Sequence, residues 1–70
     1  MAEPLREGDR VAWSHSRGTS HGKVVEVATT SGKIEDFAYE ASEDDPRYIV
    51  ESDDTGARAA HKAEALRKEY

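Results

Sequence analysis

The sequence predicts an all-β protein, a small closed barrel, and three observations support this prediction. Short runs rich in β-branched residues recur along the chain, polar turn clusters separate them about every ten residues, and helical character is confined to one late turn. A chain of 70 residues is short, so we expect one domain over residues 1–70.

The first predicted strand covers residues 9–14, where Val11 and Trp13 alternate with polar residues and share one face. The residues from Ser14 to Gly22 are nearly all polar or turn-favouring, which predicts a loop. This loop is expected to join two strands without burying side chains.

The second strand is predicted over residues 23–29, a β-branched run in which Val25 and Val27 are expected to point inward. A third run, residues 34–39, places Phe37 and Tyr39 on one side. The polar residues that follow it end in a proline, which disfavours continuation of the strand.

Two further strands are predicted at residues 48–52 and 58–61, joined by a turn that ends in Gly56. The tail has two interpretations. Apolar positions spaced at helical intervals favour a helix over most of 57–70, whereas one or two helical turns followed by an edge segment at 66–68 satisfy the same residues.

Several ordered motifs resemble the hypervirulence-associated Tudor-domain family, a group of small bacterial and fungal proteins. They are Gly8-Asp9-Arg10-Val11-x-Trp13, Gly22-x-Val24-Val25 and the run from Ser42 to Leu66. The resemblance covers about residues 5–68 and implies an SH3-like, Tudor-type barrel of about five strands. It implies strands at 9–14, 22–29, 47–53, 57–61 and 66–69, a helical turn at 62–65, and an insert at 33–46 that carries an extra strand at 34–40.

Composition favours a binding module over an enzyme. Apolar residues make up 36% of the chain, and ten of them are alanines. Few large side chains therefore remain to form the walls of a water-excluding pocket. The sequence shows no paired catalytic carboxylates, no Gly-rich phosphate loop and no metal-ligand spacing, so we expect no catalysis, no cofactor and no metal. Without a membrane span or a signal peptide, a cytoplasmic location is expected.

The net charge of −5 is unevenly distributed along the chain. Residues 1–25 sum to +1, residues 26–54 to −8 and residues 55–70 to +2. Because opposite potentials steer encounter, the acidic middle favours a cationic protein segment as the partner.

Aromatic residues offer a second route to a ligand, since Tudor-like barrels often bind methylated cations in an aromatic cage. The candidates for such a cage are Trp13, Phe37, Tyr39 and Tyr48, with Asp36 or Glu51 as the acid. Trp13 and Tyr48 are in phase with inward valines, so we expect them in the core. Phe37 and Tyr39 lie in the insert, where they either pack or face solvent or a second copy of the chain.

Weak nucleic-acid binding and self-association are the alternatives. In an SH3-like barrel the first and last strands approach each other, which would gather a basic patch. Its members would be Arg10, Arg17, Lys23, Arg58 and Lys62, with His15, His21, His61, Arg67 and Lys68 nearby. His61 is expected to fix the corner after its strand by bonding a backbone carbonyl, or to contact a ligand. The third possibility is a homodimer in which Phe37 and Tyr39, or an open barrel edge, pack against a second copy of the chain.

Overall fold

The computed structural model describes residues 5–34 and 37–69, in which β-strands dominate. The strands are β1 (Arg10–His15), β2 (Gly18–Ala28), β3 (Gly32–Ile34), β4 (Phe37–Tyr39), β5 (Arg47–Ser52), β6 (Arg58–His61) and β7 (Arg67–Glu69), and a 3₁₀ turn covers Ala63–Ala65. The prediction of an all-β fold is confirmed.

Five of these strands form one antiparallel sheet in the order β6-β5-β2-β1-β7. Strands β6 and β7 lie at opposite edges, which would be about 19 Å apart in a flat sheet. The connection between them contains the 3₁₀ turn, and five residues of this kind can reach only about 16 Å. The sheet therefore curls toward closure, as in a small SH3-like barrel.

The core lies inside this curled sheet. Its buried members are Leu5, Val11, Val24, Tyr48 and Val50, and Trp13, Val27, Ala59, Ala63 and Leu66 pack against them. The 3₁₀ turn and the residue that follows it thus contribute side chains that cover the open side of the barrel.

The tail follows the second of the two sequence interpretations. Ala63–Ala65 form a single 3₁₀ turn, and the chain at Leu66 is already extended, with φ −112° and ψ 144°. Strand β7 then pairs with β1. A helix through most of 57–70 is therefore wrong, because the tail is drawn into the sheet by this pairing; Tyr70, the last position of the helical pattern, lies outside the described residues.

The predicted loop over residues 14–22 is instead a tight hairpin. Strands β1 and β2 pair as far as His15 and Gly18, leaving only two residues in the turn. Gly18 adopts φ 127°, a conformation that favours glycine. The imidazole Nδ1 of His15 accepts the backbone N–H of Arg17 at 3.2 Å, and its Nε2 lies 2.8 Å from Ser20 Oγ. Polar residues thus continue the ladder here because local hydrogen bonds support them.

A β-bulge changes which valines of β2 face the core. The register of β2 against β5 shifts between Val24 and Glu26, so Val25 is the extra residue. Val24 is fully buried, Val25 is half-buried, and Val27 packs against the core. The expectation that Val25 and Val27 share the inward face is therefore wrong for Val25.

The insert between β2 and β5 carries two short strands where one was predicted over 34–40. Strands β3 and β4 pair with each other, Gly32 with Tyr39 and Ile34 with Phe37. This hairpin forms a separate two-stranded sheet. It is inserted where Ala28 and Arg47 are direct partners on β2 and β5.

Candidate functional site

A cleft of about 440 Å³ separates the insert hairpin from the outer face of the barrel sheet. Its size falls in the range of small-ligand sites. It is lined by Glu26 of β2, Lys33 and Ile34 of β3, Tyr39 of β4, Ile49 of β5, Gly56 of the β5–β6 turn and Arg58 of β6. The cleft thus combines an apolar surface with three charged side chains.

The floor of the cleft is set by strand register. Ile49 pairs with Glu26 on one side and with Ala60 on the other, and directly opposite residues of a sheet share a face. The neighbours Tyr48 and Val50 point to the core, so Ile49 points outward, yet it is only 5% exposed. An isoleucine buried on the outer face requires a cover, and the insert hairpin provides it.

The hairpin turns one apolar face toward this floor. Residues paired across β3 and β4 share a face, which places Ile34, Phe37 and Tyr39 together with Gly32. Tyr39 packs directly over Gly32. Phe37 lies on the same face but remains 57% exposed, and it is the exposed large hydrophobic residue of the described chain. An exposed aromatic side chain on the same hairpin face as the cleft residue Tyr39 is suited to contact with a partner.

The charges of the cleft come from three different strands. Arg58 donates from Nε to a carboxylate oxygen of Glu51 at 3.2 Å, so its guanidinium is oriented along the sheet surface. Lys33 and Glu26 are exposed. The described lining therefore holds two cations and one anion within a chain of net charge −5.

An acidic segment follows β4 directly. Glu40, Glu43 and Asp44 are exposed, while Asp45 is paired with Arg47 at 2.8 Å. The loop is held by reciprocal backbone hydrogen bonds of 3.2 Å between Ser42 and Asp45. We call Glu40, Glu43 and Asp44 the acidic rim; it continues from the hairpin that carries Phe37 and Tyr39.

The four predicted aromatic residues separate into two groups. Tyr48 is 8% exposed in the core, as expected, and Trp13 packs against the core. Phe37 and Tyr39 are on the insert hairpin. Of the two candidate acids, Glu51 is paired with Arg58, and Asp36 lies outside the described residues. The described residues therefore do not assemble the four rings into one cage.

His61 lies on the barrel, beside Trp13. Its ring lies 5.6 Å from that of Trp13, measured between centroids, with the planes tilted by 38°. Burial lowers the pKa of His61, because the charged imidazolium loses hydration. Among the described residues, the His61 side chain makes this ring contact, whereas a hydrogen bond to a backbone carbonyl was expected. The imidazole covers part of the apolar surface of Trp13.

The predicted basic patch is interrupted by acids. Strand β1 does pair with β7, which brings the two basic flanks together. One row of paired residues then crosses all five strands, in the order Glu69, Arg10, Lys23, Glu51 and Arg58. Positive and negative side chains are thus mixed on this face.

Several of these basic side chains are paired with acidic side chains. Arg10 forms a double hydrogen bond with Asp53, and the Arg10 guanidinium lowers the pKa of that carboxyl. Lys68 lies 3.8 Å from Asp9, and His21 lies 3.0 Å from Glu69. The other patch members, Arg17 and Lys62, are exposed, in the β1–β2 turn and before the 3₁₀ turn respectively.

Neither a metal centre nor a membrane span is evident in the described part of the chain. Residues 5–34 and 37–69 contain no group of three His, Cys, Asp or Glu side chains placed to hold a metal ion. No helix among them has the length and apolar character needed to cross a bilayer.

Sequence reasoning missed the cleft residues Glu26, Lys33, Ile34 and Ile49. One signal for them was present, because Tyr48, Ile49 and Val50 are three consecutive apolar residues in one strand. Such a run indicates a strand covered on both faces. A strand covered on both faces needs a second covering element, and the insert is the candidate for it. The pattern does not identify the charged residues of the cleft.

The chain matches the family model described as hypervirulence associated proteins TUDOR domain over residues 8–66. No curated protein and no solved structure shows a significant match. The matched range contains the barrel up to the start of β7 as well as the insert.

Proposed function

This chain belongs to the hypervirulence-associated protein Tudor-domain family, and we propose that it is a non-catalytic binding module that recognises a cationic protein segment with its insert. The family indicates a small binding module, and Tudor-like domains are generally non-catalytic. The partner and the surface are our proposal.

The observation that carries the proposal is the exposure of Phe37 on the apolar face of the insert hairpin. Its ring is 57% exposed beside Tyr39, which lines the cleft. A lysine or arginine over an exposed aromatic face gains about 0.5–1 kcal/mol. The aliphatic stem of the same side chain also covers apolar surface that is otherwise in contact with water.

The acidic rim supports a cationic partner. Glu40, Glu43 and Asp44 are exposed and follow the hairpin in the chain. Exposed ion pairs contribute about 0.2–1 kcal/mol each, and opposite potentials speed encounter at low salt. Rings and carboxylates together therefore favour a segment in which basic residues recur.

The test is a titration of the full chain with a lysine-rich decapeptide that is amidated at its C-terminus. The glutamate counterpart of the peptide serves as the charge control. We expect the lysine peptide to bind and the glutamate peptide not to bind. Phe37→Ser and the triple variant Glu40→Gln, Glu43→Gln, Asp44→Asn should each weaken binding about three- to tenfold.

A matched variant removes acids elsewhere. Glu7→Gln, Asp54→Asn and Glu64→Gln together change three exposed carboxylates outside the insert and should leave the affinity unchanged. If this control weakens binding as much as the triple variant does, net charge alone explains the interaction and the insert is not the binding surface.

Nucleic-acid binding and self-association, the two alternative functions, are tested in separate measurements. A gel shift with single-stranded and duplex oligonucleotides at low and moderate salt tests nucleic-acid binding, which should decline steeply with salt if it occurs. Size-exclusion chromatography with light scattering tests a homodimer, which Phe37→Ser should convert to a monomer. Oligonucleotide binding without peptide binding, or a dimer that hides Phe37, would overturn the proposal.

A further inference from the structure

The cleft differs in charge from the acidic segment next to it. Two cations, Lys33 and Arg58, and one anion, Glu26, surround it. The neighbouring insert residues Glu40, Glu43 and Asp44 are all acidic. The lining of the cleft thus carries mixed charge, unlike the acidic rim beside it, and its cations border a concave site.

The cleft also has apolar surface. Ile34 and Ile49 approach it from the hairpin and from the sheet. At Gly56, a Cβ atom would meet nothing within 4 Å, so this part of the lining offers no side-chain obstruction. A ligand with one apolar end therefore finds isoleucine side chains to contact.

The donors of the cleft suit a carboxylate. Arg58 uses Nε in its pair with Glu51, and a guanidinium carries further N–H donors on its terminal nitrogens. Lys33 alternates with Ile34 on β3, so its long, exposed side chain has to bend around the strand to bring its ammonium, with three more donors, to the cleft. The lining residues sum to +1, and Glu51, which pairs with Arg58, adds a further negative charge beside them, so a monoanion fits this site better than a phosphate dianion.

We propose that this cleft binds a carboxylate attached to a compact apolar group, with the carboxylate between Lys33 and Arg58 and the apolar group against Ile34 and Ile49. Two sources share this chemistry: the C-terminal residue of a protein and a free small acid. The inference does not require a cationic partner, so it is independent of the function proposed above.

The experiment is an NMR titration of the full chain with N-acetyl-leucine and with its neutral amide. The acid should shift the backbone amide signals of Ile34 and Ile49, and the amide should bind at least tenfold more weakly. Lys33→Gln and Arg58→Gln should each weaken binding of the acid about tenfold, the loss of one charge-assisted hydrogen bond. Glu26→Gln should strengthen it, because it removes the opposing charge.

Arg6→Gln is the matched control, since Arg6 is an exposed cation outside the cleft. It should leave the affinity for the acid unchanged. Circular dichroism of each variant verifies that the fold is retained. Equal binding of acid and amide, or weaker binding by Glu26→Gln, would overturn the proposal.

A second arm distinguishes the two sources. A hexapeptide that ends in leucine with a free carboxyl group is compared with N-acetyl-leucine. Binding at least tenfold tighter by the peptide supports the cleft as a site for a protein C-terminus, whereas equal binding supports a site for small acids. If the peptide does not bind and the acid shifts neither isoleucine amide signal, the cleft is not a carboxylate site.

Discussion

The ring of Tyr39 lies across Gly32, so that a Cβ atom on residue 32 would be 2.6 Å from the Tyr39 hydroxyl oxygen. The two residues are direct partners in the β3–β4 hairpin. An aromatic side chain that packs over a cross-strand glycine has a defined orientation. This contact therefore fixes the aromatic wall of the cleft.

Gly32→Ala should displace Tyr39 while preserving the fold. The contact involves the far end of a side chain that can rotate, so we expect the free energy of unfolding to change by less than about 1 kcal/mol. The ring signals of Tyr39 should shift in NMR spectra, and binding of N-acetyl-leucine should weaken. Unchanged ring signals would show that Tyr39 is not held by Gly32.

Gly22→Ala should be far more damaging, although the substitution is chemically identical. A Cβ atom at position 22 would collide with the backbone carbonyl of Glu51 and would also lie 3.0 Å from the Trp13 ring. Backbone cannot rotate away, so β2 and β5 must separate. We expect a loss of about 1–3 kcal/mol in urea denaturation, with Gly32→Ala as the matched comparison.

Val24→Ala should destabilise the barrel more than Val25→Ala. Val24 is fully buried, whereas Val25 occupies the bulge and is half-buried. Removing two buried methyl groups costs about 2 kcal/mol, including the cavity that remains. Thermal unfolding of both variants measures the difference. Equal losses would contradict the position of the bulge.

The pair between Arg10 and Asp53 should make the free energy of unfolding depend on pH in the acidic range. Arg10 lowers the pKa of Asp53 below its usual value near 3.8, so the folded state binds this proton less readily than the unfolded state. The stabilisation is present above that value and is lost as the pH falls through the lower, folded pKa. Asp53→Asn should therefore slightly destabilise the chain at pH 6, and its difference from the wild type should shrink as the pH falls below 3.8, measured by urea denaturation.

His61 should contribute to stability in a different pH range. Burial lowers its pKa, so the unfolded state binds the proton more readily and protonation favours unfolding. Its contribution is complete above the ordinary value of about 6.5 and is lost as the pH falls through the folded pKa. His61→Phe keeps a ring beside Trp13 and removes the titration, so it should lessen the decline in stability between pH 7 and pH 5.

Most of the barrel could be predicted from the sequence. Alternation around Val11 and Trp13 located β1, and β-branched runs located the centres of β2 and β5, because strand burial imposes a period of two. The structure of the C-terminal tail could be predicted only with the help of the family resemblance. The apolar spacing from Ala59 to Leu66 fits a helix and a 3₁₀ turn equally well, and only pairing of β7 with distant β1 decides between them.

The candidate site was less predictable, for two physical reasons. Strict alternation places Val25 inward, and a bulge that changes the phase leaves no mark in composition. The cleft, in turn, depends on how the insert folds back over the outer face of the sheet. Local patterns identified Phe37 and Tyr39 as exposed or packing residues, but they could not show that Lys33, Ile49 and Arg58 border the same space.

The insert leaves and re-enters the barrel at Ala28 and Arg47, two residues that are direct partners on β2 and β5. The strands on either side are therefore joined as a simple hairpin would join them, whatever lies between. The insert can therefore change in length or charge without shifting the register of any barrel strand, as long as its hairpin still covers Ile49. If the insert is the recognition surface proposed above, its specificity can change while the barrel framework stays the same.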